Sequence, residues 1–293
     1  MTSETTGTTR DVARLADGAE VRRRCAQSTA RRLVAGAGSL DIVAYRCPSQ
    51  PSLAPLAHGL TADGDWLVAL PEARLPVGAS GLPEQLEARV RVDQLGAPSD
   101  IRVQVASLHA LGTLRLLSAE ESSRLLAAGT EPAALDAAAQ APGAVLGLLS
   151  AETVLVHARD DVEKLPWQAV AAGGAFPAPN DEWDAVDAAA SLDDAAVRRL
   201  VEELAGGSRR GIIGRPVAAP QELLGAAADG VVPGVARPAD DQAAPVLLDV
   251  DAEGCTWLIR NDGQVRSVVL AFDRPVRGMA DLQEALRAWC ATG

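Results

Sequence analysis

Apolar and polar residues alternate along much of the first half of the chain, and strict alternation is the signature of half-buried strands. From Asp100 to Ser118 the sequence reads D-I-R-V-Q-V-A-S-L-H-A-L-G-T-L-R-L-L-S. Ile101, Val103 and Val105 fall on one face of an extended segment, with Arg102 and Gln104 on the other. Asp100–Val105 and Leu108–Leu117 therefore predict two strands, or one long bent strand. Ser118 opens S-A-E-E with Glu121 three residues on, a capping box that starts a helix. Upstream, Leu40–Tyr45, Leu53–Leu60 (weakened by Pro55) and Trp66–Leu70 are further strands. Asp63-Gly64 supplies the turn between the last two. Pro71–Gly81 reads as a loop. Ala88–Leu95 sets Val90 and Val92 against Arg89 and Arg91. Val145–His157 sets Val154 and Val156 against Thr153, Leu155 and His157. Six or seven antiparallel strands at this spacing predict a closed or partly closed barrel.

Helical periodicity frames this region. Val12, Leu15, Ala16, Ala19 and later Cys25, Leu33 and Val34 predict one helix, or two broken near Gly18, from Asp11 to about Ala35. Gly36 and Gly38 end it. Residues 1 to about 9 read as disordered. After the Ser118-capped helix, which ends at Gly129, Thr130 caps a second one with Pro132 in its first turn. Phe176–Asn180, with Pro177 and Pro179, reads as a linker. Ser191–Asp194 caps an amphipathic helix carrying Val197, Leu200, Val201 and Leu204, closed by Gly206. Val246–Val250, Cys255–Arg260 and Val265–Phe272 predict three strands joined at Asp251–Gly254 and Asn261-Asp262-Gly263. Met279–Cys290 predicts a last helix with Leu282, Leu286 and Trp289 inward. The division expected is a flexible N-terminus over 1–20, a barrel domain over 21–172, a linker over 173–190 and an α+β module over 191–293.

The 293 residues are 48% hydrophobic but only 3% aromatic, so small aliphatic side chains must build the core. The formal net charge of −12 opposes contact with nucleic-acid phosphates and with anionic membranes, so no partner of either kind is expected. Arg22, Arg23, Arg24, Arg31 and Arg32 form the one basic cluster, read as a solvated helix face. Cys25, Cys47, Cys255 and Cys290 are widely spaced, which suits reduced, mostly buried thiols better than a disulfide framework or a zinc knuckle. The opening M-T-S-E-T-T-G-T-T lacks the apolar core of a signal peptide, and no apolar run reaches membrane-spanning length; the expectation is a cytoplasmic protein.

No H-x-x-H, G-x-S-x-G or phosphate-loop pattern occurs. The paired carboxylates Asp160-Asp161, Asp193-Asp194 and Asp240-Asp241 point in different directions on any regular element, which suits caps and loops better than acid–base dyads. Three histidines remain, His58, His109 and His157, each able to ligate a metal or haem and each readable as a structural histidine. Arg89 and Arg91 share a strand face and could grip an anionic group such as a propionate or phosphate; a surface or interface role is the plainer reading.

Three stretches carry a family resemblance. They are P-L-A-H-G-L-T-A-D-G-D over Pro55–Asp65 with the strand after it, the strand and capped helix of Asp100–Glu121, and V-R-S-V-V-L-A-F-D-R-P-V over Val265–Val276. Together with the element order, they resemble the split-barrel proteins related to pyridoxamine-phosphate oxidase. The branch resembled is the one associated with haem utilisation, which carries a C-terminal domain of unknown function. The resemblance implies an α+β protein, a mostly antiparallel split β-barrel followed by a small α+β module, paired as a homodimer through its strand edges. It also implies haem as a cofactor. Flavin-binding relatives hold the FMN phosphate with basic residues after the third strand. Here Pro76–Leu86 contains no Lys or Arg, which argues against FMN. The Asn-x-Asp-His element and the C-terminal histidine of the haem branch are also missing: Ala190–Asp194 has no histidine, and the chain ends Trp289-Cys290-Ala291-Thr292-Gly293. Cys290 could ligate haem as a thiolate; a buried helix-face cysteine is the plainer reading.

Three functions stay open on this basis. The first is a haem- or tetrapyrrole-binding protein without strong catalysis, holding a planar anionic ligand through His58, His109, Arg89 and Arg91, with a protein partner as an alternative route of action. The others are a flavin- or deazaflavin-dependent oxidoreductase and a non-catalytic regulator or scaffold.

Overall fold

Helix α1 runs over Thr5–Val34 and passes Gly18 without a break. It starts inside the stretch expected to lack structure. The fold described here is that of a computed structural model covering residues 5–47, 49–75, 85–97, 103–127, 130–158, 161–218, 244–261 and 264–291. Gly36 (φ +112°) and Gly38 (φ +75°) end the helix in left-handed backbone. A Cβ on Gly36 would lie 2.7 Å from the Pro132 ring, so only glycine fits there.

By its contacts the chain divides into two units: Ala26–Leu95 with Ala106–Glu182, and Met1–Cys25 with Gly96–Val105 and Trp183–Gly293. The first unit is built on an antiparallel sheet of β1 (Ser39–Ala44), β2 (Ala57–Thr61), β3 (Trp66–Pro71), β4 (Gln85–Leu95), β5 (Gln104–Leu116), β6 (Thr130–Glu131), β7 (Ala144–Ala158) and β8 (Asp161–Pro166). Their order is β1-β4-β5-β7-β3-β2-β6, with β8 also paired to β7. The sheet curls into a half-barrel, so the α+β split-barrel class stands. Period-2 patterning sets its two faces. On β4 Leu86, Ala88, Val90 and Val92 point inward and Glu87, Arg89 and Arg91 outward. Ala30, Leu33 and Val34 of α1 fill the concave side against Ile42, Trp66, Leu108, Leu114 and Val154.

The predicted long bent strand is β5, from Gln104; Asp100–Arg102 lie outside the described residues. A register shift between Ala110 and Gly112 marks its bend as a β-bulge. Gly112 sits where a Cβ would approach the Ser150 carbonyl oxygen to 2.0 Å. The capping box forms as read: Ser118 N–H donates to Glu121 Oε2 at 2.9 Å and Glu121 N–H to Ser118 Oγ at 3.2 Å, starting α2 (Ala119–Ala127). These bonds and Arg115 hold the Glu121 carboxyl down at about 2.

Several expectations are corrected. Thr130 does not cap a helix; it pairs with Thr61 in β6, and Pro132 precedes α3 (Ala133–Ala139). Short elements with little periodicity went unread: β8, α4 (Trp167–Ala171) and α5 (Glu182–Ala190), the last lying where a linker was expected. The arginines of α1 are not all solvated. Arg32 is 1% exposed and pairs with Glu182 at 3.0 Å, while Arg31 donates to the Ala169 carbonyl.

In the second unit α6 (Asp194–Gly206) begins at Asp193, whose carboxylate accepts from Ala196 N–H at 2.7 Å, and ends at left-handed Gly207. A smaller antiparallel sheet follows: β9 (Gly211–Ile213), β10 (Val217–Ala218), β11 (Val246–Asp251), β12 (Gly254–Asn261) and β13 (Gln264–Ala271). Its order is β10-β13-β12-β11, with β9 also paired to β13; β9 and β10 had not been expected. Val21 and Cys25 of α1 pack on Val269 and Ala271, and Arg24 meets Glu253 at 2.5 Å. Helix α7 (Met279–Ala291) closes the unit, its Trp289 stacked on Phe272 at 4.9 Å. The four cysteines are free. Cys25 and Cys255 are buried, but Cys290 is exposed rather than buried, because it falls on the solvent side of α7.

Candidate functional site

The three histidines separate into one core residue and one surface pair. His58 is 4% exposed on β2. Its Nε2–H donates to the Leu33 carbonyl at 2.7 Å, and its ring lies edge-on to Trp66, which stacks on Trp167. Leu33 is in the last turn of α1, where carbonyls have no helical partner, so His58 satisfies an orphan acceptor. Burial pushes its pKa below the usual imidazole range, with the Leu33 carbonyl acting against that shift. This histidine is committed to the core, and the structure does not bring it to the other candidates.

His109 and His157 meet on the convex face. They come from adjacent strands β5 and β7, with ring centroids 4.9 Å apart and planes at 69°. The β5–β7 register sets His109 opposite Leu155 and Ser107 opposite His157; the β7–β8 register sets His157 opposite Val162. Cross-strand partners share a face, so each imidazole stands beside an exposed aliphatic side chain. Leu155 is 41% and Val162 56% exposed. His109 Nε2 lies 3.2 Å from Ser107 Oγ, which orients that ring. Among the described residues no side chain is hydrogen-bonded to the ring nitrogens of His157. Partial burial lowers the His109 pKa first; His157, Arg91 and Arg89 push the same way and Asp93 opposes. The lowered value favours a neutral His109 ring, the form of imidazole that ligates metals. Three or more metal-binding side chains do not gather anywhere among the described residues.

Arg89 and Arg91 stand on the same convex face, on β4 beside β5. Arg91 is held by Asp93, its Nε 2.9 Å from Oδ1 and 2.8 Å from Oδ2. At the end of the row Tyr45 donates to Glu87 at 2.5 Å. Sequence reasoning singled out Arg89, Arg91 and His109 and left His157 out of the set. The alternation of Leu155 and His157 marked it as outward, but only the β5–β7 register reveals its partner. Residues 76–84, where flavoproteins of the resembled family hold phosphate, lie outside the described residues. Cys290 lines an open groove of about 570 Å³ with Leu192, Leu286 and Arg287, apart from any histidine.

A curled antiparallel half-barrel with an α+β companion defines the class of protein, and one solved structure agrees at that level. No protein-family model and no curated protein matches the sequence. In three dimensions the chain is similar to a haem-binding protein from Mycobacterium smegmatis. The two share 14% identity and a TM-score of 0.51, over 91% of this chain and 96% of that one. A protein of unknown function from Agrobacterium tumefaciens aligns over 90% of this chain and 94% of its own, at 13% identity and a TM-score of 0.38. The first likeness is one of fold. No helix among the described residues is long and apolar enough to cross a membrane.

Proposed function

We propose that the protein binds haem or a related metallated tetrapyrrole on its convex face, in the manner of a haem-utilisation split-barrel protein. The observation that carries this reading is the His109–His157 pair flanked by exposed Leu155 and Val162. A metallated macrocycle needs a nitrogen donor for its metal and an apolar surface for its ring, and the face supplies both. His157, to whose ring nitrogens no side chain is hydrogen-bonded among the described residues, would hold the metal. His109, oriented by Ser107, is the positioning neighbour. Bound haem would supply ligand-exchange and redox chemistry at its iron; the protein's share is to hold and orient it. The fold neighbour that binds haem supports the same reading by analogy.

Hemin titration followed by the Soret band tests it. Wild type should give a saturable, shifted band. His157→Ala should remove the shift, and His109→Ala should weaken affinity while leaving a shifted band. Unchanged binding in both variants would move the site elsewhere.

A further inference from the structure

We infer that Arg89 is the carboxylate-recognition residue of this face, and that its ligand is a free-acid macrocycle and not an uncharged ester; the inference rests on the binding reading above. The outward row of β4 runs Glu87, Arg89, Arg91, Asp93. Its two ends are already neutralised. Glu87 accepts from Tyr45 at 2.5 Å and lies 3.8 Å from Arg46 Nε. Asp93 takes Arg91 through both carboxylate oxygens, at 2.9 and 2.8 Å. Arg89 stands between these pairs. Among the described residues its side chain makes no hydrogen bond or ion pair, in a chain whose net charge is −12. An exposed guanidinium left without an internal carboxylate offers two parallel N–H donors to a carboxylate from outside. Arg89 on β4 and His109 on the neighbouring strand β5 share the outward face of the sheet, so the carboxylate and the metal of one ligand can engage the same face.

The row also separates the two arginines, which sequence alone treats as equivalent. Arg91 is spent on Asp93, and a ligand carboxylate there would have to displace an existing partner. Specificity for the acid therefore rests on Arg89.

The test uses the full chain titrated with hemin and with hemin dimethyl ester, which has the same macrocycle and metal without free carboxylates. Wild type should bind hemin roughly tenfold more tightly than the ester, the value of one good charge-assisted contact. Arg89→Gln should erase that preference and flatten the fall of hemin affinity with added salt. The charge-neutral double change R91Q/D93N should keep the preference to within about twofold, as expected for an exposed ion pair. Equal wild-type affinity for acid and ester, or a preference that survives Arg89→Gln, overturns the assignment while leaving the histidine site standing. Absence of any Soret shift with either compound overturns both.

Discussion

Replacing His58 by phenylalanine separates its structural work from its titration. The change keeps an aromatic ring against Trp66 but removes the imidazole N–H that donates to the Leu33 carbonyl at 2.7 Å. A buried acceptor stripped of its partner costs about 1–3 kcal/mol. With a urea dependence near 2 kcal/mol/M, the unfolding midpoint at pH 7.5 should drop by roughly 1 M. The pH dependence is the sharper check. The folded-state pKa of His58 lies below its ordinary value of 6.5 because burial disfavours the cation. The wild-type contribution is therefore intact above about pH 6.5 and erodes as pH falls toward the lowered folded value, because the unfolded chain takes up the proton first. Phenylalanine does not titrate, so the gap between the two proteins should narrow as pH falls below 6.5. His109, also lowered, titrates in both proteins and cancels in the difference. Urea unfolding followed by tryptophan fluorescence reads this directly, since Trp66 and Trp167 stack beside the site. A variant as stable as wild type at pH 7.5, or a gap that does not change with pH, would refute the reasoning.

Two further substitutions test the frame that holds the site. Ser118→Ala removes one half of the capping box and should lower stability by about 0.5–2 kcal/mol in urea unfolding, with little effect on hemin affinity. Gly112→Ala drives a Cβ to within 2.0 Å of the Ser150 oxygen and must shift the β5–β7 register at its bulge. It should cost about 1–3 kcal/mol by overpacking and also weaken hemin binding, because the same register sets His109 against His157; normal binding in this variant would mean that the register does not position the pair.

Local physics made most elements readable. Val90 and Val92 against Arg89 and Arg91, the Ser118–Glu121 box and the Asp63-Gly64 turn (φ +84° at Gly64) are decided by neighbours a few residues apart. Elements held by tertiary pairing were not readable. β6 is two residues long and exists because Thr61 and Leu60 offer it an edge. β8 forms as the partner of the second half of β7. The same division governs the site. That Arg89, Arg91 and His109 face outward follows from alternation, but that His157 lies beside His109 depends on how two distant strands align. That His58 is withdrawn depends on where α1 ends. Thr130 shows the opposite error: a residue with good capping chemistry was claimed by a strand edge first.

The placement of α1 bears on how the chain comes to be folded. Val21 and Cys25 close the second unit against Val269 and Ala271, so that unit draws its parts from opposite ends of the sequence. Joining them closes one of the longest loops the chain allows, and its entropy must be met before the contact repays it. Synthesis runs from the N-terminus, so this turn of the helix leaves the ribosome long before the strand that covers it. Its apolar side waits exposed through most of translation. Such non-local closure is slow. A fragment cut ahead of α6 would leave the C-terminal sheet without its lid, although every strand of that sheet would still be present.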